Sequence, residues 1–128
     1  MDAAQALVEL KELSSQVERA VVLDAEGAVL GSTTTDEGAT EALATAALFL
    51  VAAARDLQPS SGDVTLAEVE LAEGGLFVLR DEKHAIAATT GPSPTAGLVV
   101  YDLRTCLRAL NEPAKKRRRA KKAEESEA

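Results

Sequence analysis

From Ala42 to Ala54 the chain reads Ala-Leu-Ala-Thr-Ala-Ala-Leu-Phe-Leu-Val-Ala-Ala-Ala, and this run constrains the fold most. Alanine and leucine are strong helix formers, yet the run has almost no polar face. A surface helix shows one apolar stripe and one charged side, whereas this segment is apolar nearly all the way round. Thirteen residues rise about 20 Å, short of the roughly 30 Å of a bilayer core, so the run reads as a packed helix and not a membrane span. Asp36, Glu37 and Glu41 precede it, where the electropositive helix start favours acids; Arg55, Asp56 and Gln58 close it. A helix apolar on two faces needs two surfaces to pack against. In a short chain one is its own core, and the other is expected to be a second protein surface.

At 128 residues the chain holds one domain with a real core. The start lacks a basic segment followed by an apolar run, so no signal peptide is expected, and no transmembrane segment either. One cysteine excludes an internal disulfide and fits a reducing, cytoplasmic setting. With no tryptophan, one tyrosine and two phenylalanines, stacking platforms for bases are nearly missing. The net charge of −7 hides a division: Lys115, Lys116, Arg117, Arg118, Arg119, Lys121 and Lys122 carry seven positive charges, and Glu124, Glu125 and Glu127 three negative. Without these the body, residues 1–114, stands at −11, a poor partner for a phosphate backbone. Residues 1–112 therefore read as the domain, and 113–128 as a flexible tail, basic and then acidic. The tail residues suit electrostatic contact with acidic lipid, nucleic acid, an acidic partner or the acidic body itself, besides simple solubilisation.

Periodicity orders the elements. Leu7, Leu10, Leu13 and Val17 recur at helical spacing over residues 3–17, with Asp2 placed as N-cap. Apolar runs at 19–24 and 28–32 flank an acidic turn with Gly27 and predict a hairpin. The apolar helix spans about 39–57, and Pro59 to Asp63 is loop. Runs at 64–71, 76–80 and 84–90 predict a three-stranded meander, with Gly74 and Gly75 permitting the tight turn between its first two strands. Val99, Leu103, Cys106, Leu107 and Leu110 form the stripe of a last helix at 95–110, which Pro113 stops. The fold class is α+β: a five-stranded antiparallel sheet flanked by helices, in the order helix, two strands, helix, three strands, helix.

Catalytic chemistry finds little support. Cys106 lies on a buried stripe, His84 opens a strand, and one histidine cannot build a His-based metal site. No GxxxxGK[ST] or nucleophile-elbow pattern occurs, so neither an enzyme nor any cofactor is expected. A small-molecule sensor is disfavoured by the scarcity of aromatic and convergent polar residues.

Three stretches stand out together: the hairpin Arg19-Ala20-Val21-Val22-Leu23-Asp24-Ala25-Glu26-Gly27-Ala28-Val29-Leu30-Gly31-Ser32, the Ala/Leu-rich helix, and Ala96-Gly97-Leu98-Val99-Val100-Tyr101-Asp102-Leu103-Arg104. In this order and spacing they resemble the roadblock family, the dynein-light-chain-like domains and their bacterial relatives that regulate small Ras-like GTPases. The resemblance covers about residues 3–110; Val17-Glu18 stand where bacterial members often carry a glycine. It implies a homodimer, with sheets joined edge to edge and central helices side by side, and a profilin-like, non-catalytic platform that docks a small GTPase. On that reading Leu43, Ala46, Ala47, Phe49, Leu50, Ala53, Val64, Leu66, Val69 and Leu71 build the dimer interface. Glu41, Thr45, Arg55 and Asp56 face the partner, Arg55 being weighed against both an arginine finger and a plain helix cap. The alternative is an adaptor subunit of a larger assembly, recruited through the basic tail without effect on GTP hydrolysis.

Overall fold

The computed structural model describes residues 1–57, 60 and 62–112. The order is α1 (Ala3–Leu13), β1 (Val17–Asp24), β2 (Val29–Ser32), α2 (Glu37–Leu57), β3 (Leu66–Leu71), β4 (Gly74–Arg80), β5 (His84–Thr90) and α3 (Ala96–Asn111). The five strands form one antiparallel sheet in the order β2-β1-β5-β4-β3, as the α+β reading expected.

The central strands are buried on both faces, which is why they read as near-continuous apolar runs. Val22 and Ala20 of β1, Phe77 and Leu79 of β4, and Ile86 and Ala88 of β5 point to α1 and α3, meeting Leu7, Leu10, Val99 and Leu103. Their alternate neighbours Val21, Leu23, Val78, Ala85 and Ala87 point the other way, to Leu43, Ala44, Ala47 and Val51 of α2. Alanine stands on both sides of this second contact and lets α2 lie close on the sheet. The molecule is thus three layers: α2, the sheet, and the α1–α3 pair.

Several boundaries differ from the periodicity. Helix α1 begins on its expected cap, Asp2 Oδ1 accepting from the Gln5 N–H at 2.8 Å, but it stops at Leu13 and not at residue 17. Ser14 ends it: its N–H donates to the Leu10 carbonyl, and its Oγ accepts from the N–H of Gln16 and of Val17. Val17 therefore belongs to β1 and Leu13 is exposed. At Val17-Glu18 the β1–β5 register shifts between Val17 and Arg19, so the departure from the family pattern coincides with a bulge.

Strand β3 starts two residues later than expected because the polar groups of Val64 are used elsewhere. Its N–H donates to Asp63 Oδ1 and its carbonyl accepts from Arg80 Nη1. The β3–β4 turn is Ala72-Glu73, not the glycine pair, and Gly74 and Gly75 are the first residues of β4. Their reason is close approach: a Cβ on Gly74 would lie 2.7 Å from the Thr90 carbonyl oxygen. Gly27 does occupy its expected turn, with φ of +89°.

Candidate functional site

Helix α2 is 21 residues long, about 31 Å, and by length and composition alone would reach across a bilayer, contrary to the expectation from its 13-residue core. One stripe is nevertheless committed to the sheet through Leu43, Ala44, Ala47 and Val51. Its start is fixed by Asp36, whose Oδ1 accepts from the Ala39 N–H at 3.2 Å, and by the Ser32–Thr40 hydroxyl pair at 2.8 Å.

The opposite stripe is largely uncovered by the described residues, with Leu50 half-buried at its edge. Ala42, Thr45, Ala46, Phe49, Leu50 and Ala53 form one wall of a 790 Å³ groove, and Val69, Leu71 and Leu76 form the other. Phe49 is 77% exposed and Leu71 67%, large values for such side chains. Register explains the second wall: Val69 and Leu71 sit on the α2 side of β3, opposite Leu76 and Gly74. Strand β3 is also the last strand of the sheet, so its outer backbone N–H and C=O groups have no ladder partner among the described residues. An apolar groove and an open strand edge therefore lie side by side.

Six of the residues expected at a dimer interface line this groove: Ala46, Phe49, Leu50, Ala53, Val69 and Leu71. The structure does not bring the others there. Leu43 and Ala47 point into the protein's own core, being on the sheet-facing stripe of α2. Val64 packs beside the same core from the loop before β3. Leu66 lies on the other side of the sheet, facing α3. The groove residues Ala42 and Leu76 escaped the sequence reading, since an all-apolar helix and a buried strand give no signal of which positions stay uncovered.

The expected partner-facing residues also divide. Glu41 and Thr45 stand on the rim of the groove. Arg55 and Asp56 are exposed at the far end of α2, away from that rim. Arg55 donates through Nε and Nη2 to Asp63 Oδ1 at 3.1 and 2.9 Å. Arg80 Nη1 donates to the same oxygen at 2.9 Å. These two guanidinium groups and the Val64 N–H hold the Asp63 carboxyl at about 2, against an ordinary 3.8. The three residues form a latch that ties the end of α2 and the end of β4 to the start of β3. Asp63 read as loop punctuation in the sequence, and nothing local marks its two partners. Arg55 is thus engaged as a structural partner in this structure.

Cys106 and His84 lie apart from each other and from the groove. The Cys106 thiol is buried, near the Ala6 carbonyl, and burial followed by the negative charge of Glu9 raises it to about 11. His84 Nδ1 lies 3.2 Å from Asn111 Oδ1 at the end of the sheet. Among the described residues no group of three or more His, Cys, Asp or Glu is placed to hold a metal. The tail positions from Lys115 to Lys122, and Pro113, lie outside the described residues.

The Roadblock/LC7 domain profile matches residues 3–90, from α1 through β5. Among curated proteins no sequence matches the chain. Solved structures match over a larger share of the chain. A Roadblock/LC7 domain from Streptomyces avermitilis is 22% identical, with a TM-score of 0.76 over 87% of this chain and 96% of that one. The gliding protein MglB from Thermus thermophilus is 19% identical, with a TM-score of 0.67 over 84% of this chain and 87% of that one. Myxococcus xanthus MglB is 16% identical, with a TM-score of 0.62 over 81% and 84%. At these identities the likeness is one of fold. The match over most of the described chain, together with the β2-β1-β5-β4-β3 sheet and its helices, shows that this protein belongs to the Roadblock/LC7 domain family.

Proposed function

We propose that the protein is a homodimeric, non-catalytic platform that binds and regulates a small Ras-like GTPase in the bacterial cytoplasm. Residues 1–112 are the platform and 113–128 an electrostatic appendage. The observation that carries this reading is the apolar groove beside the open edge of β3. A second copy offers the same groove and the same edge, so an isologous contact covers both at once. Antiparallel pairing of two β3 edges supplies the missing backbone partners, while two α2 helices bury Phe49, Leu50 and Ala53. A solved MglB with a tetrameric arrangement supports self-association in this fold. The GTPase would sit on the joint surface near Glu41 and Thr45, where the platform acts by positioning.

Two measurements test the reading separately. Sedimentation of the full chain at tens of micromolar should give a dimer; a monomer there removes the platform. Capture from native lysate with GTP and with GDP should recover a small GTPase in a nucleotide-dependent way. Recovery of other components without nucleotide dependence, lost when residues 113–128 are deleted, would make the protein an adaptor instead.

A further inference from the structure

We infer that the cleft between α3 and the β3–β4 hairpin binds an acidic peptide segment that carries an apolar side chain beside its carboxylates. The cleft lies on the α1–α3 side of the sheet, away from the groove along α2, and does not depend on the platform reading. Its volume is 460 Å³, within the range of sites that hold compact ligands. Leu66, Leu79 and Leu107 form its apolar floor, and Arg80, Arg104 and Arg108 are in its walls.

The charge distribution points to the ligand. Residues 1–114 contain seven lysines and arginines against eighteen acids, and three of those seven line this one cleft. Arg104 and Arg108 sit one turn apart on an exposed stripe of α3, so both guanidinium groups reach the same rim. Neither forms a hydrogen bond or ion pair among the described residues. Arg80 uses Nη1 on Asp63 and on the Val64 carbonyl, which fixes the group while its remaining donors stay unassigned.

The opposing charge in the cleft is Asp81, and its carboxylate is already occupied. Oδ1 accepts from the N–H groups of Lys83 and His84, and Oδ2 from Asn111 Nδ2. Burial raises its pKa but these hydrogen bonds outweigh it, and the group is held below its usual value. An incoming carboxylate therefore meets, over a leucine floor, two arginines that no described residue pairs. Arginine forks bind carboxylates bidentately, and clusters of arginine recognise acidic motifs in this way.

The test uses the full chain and a labelled short peptide of alternating leucine and glutamate, with its glutamine counterpart as control. Binding is read by fluorescence anisotropy at low and moderate salt. The glutamate peptide should bind, the glutamine peptide should not, and added salt should weaken the complex. The double variant Arg104→Glu with Arg108→Glu should lose affinity at least about tenfold. The neutral pair Arg104→Gln with Arg108→Gln should lose it as well, which answers any concern that reversed charge disturbs Asp81. Arg19→Glu, the same reversal at an exposed position of β1, should leave it unchanged. A full chain with every lysine and arginine from 115 to 122 replaced by glutamine should still bind. Loss only in that tail variant, equal binding of the glutamine peptide, or indifference to Arg104 and Arg108 would each overturn the inference. Vesicles containing phosphatidylserine, bound through Arg104 and Arg108 while the peptide is not, would overturn it in favour of a membrane.

Discussion

Phe49 separates association from folding. It is 77% exposed, so its ring contributes little to the isolated fold and much to anything that covers the groove. Phe49→Asp should leave urea-induced unfolding of the monomer within about 0.5 kcal/mol of the parent while shifting sedimentation to the monomer. A retained dimer would show that the groove is not the interface. Asp63 makes the opposite kind of claim, since its effect is electrostatic and depends on pH. Its folded carboxyl is depressed to about 2 from 3.8, so the latch contributes in full above the unfolded value and fades as pH falls through the folded one. Acid unfolding of the parent and of Asp63→Asn should therefore differ near neutrality and converge as pH approaches 2. A gap that persists unchanged to that pH would remove the ion-pair account. Cys106, with its buried thiol raised to about 11, should resist alkylation at pH 8 in the native protein and react quickly in urea.

At the scale of elements, the hairpin, the central helix and the last stripe were legible because each carries its own period. Val99, Leu103, Cys106 and Leu107 fall on the buried face of α3 as their spacing requires. What local pattern missed were long-range reasons. The glycine pair looked like a turn, yet Gly74 is a strand residue pressed against β5, whose Thr90 is sixteen positions away. Gly74→Ala should accordingly destabilise the fold by about 1–3 kcal/mol, read from the urea midpoint, because a Cβ would meet backbone that cannot swing aside. The end of α1 was missed for a related reason. Val17 continues the helical spacing, but Ser14 caps the helix and β5 offers Val17 a ladder partner.

For the whole molecule, the sequence by itself determined that the core of α2 is apolar nearly all round, more than one packing face requires. It also determined the order of the elements and the division of charge between an acidic body and a basic tail. Only the tertiary structure decided which stripe of α2 faces inward. Periodicity cannot choose between faces of equal hydrophobicity, whereas packing can: Ala44 and Ala47 join Ala85 and Ala87 in one core cluster, which leaves Phe49 outside and Leu50 half-buried at its edge. The arginine cleft has the same origin. Arg80 closes β4, while Arg104 and Arg108 lie more than twenty positions along on α3, and each alone reads as a solvated surface charge. Their convergence on one leucine floor exists only because the sheet places β4 beneath α3, a juxtaposition between segments that no local pattern encodes.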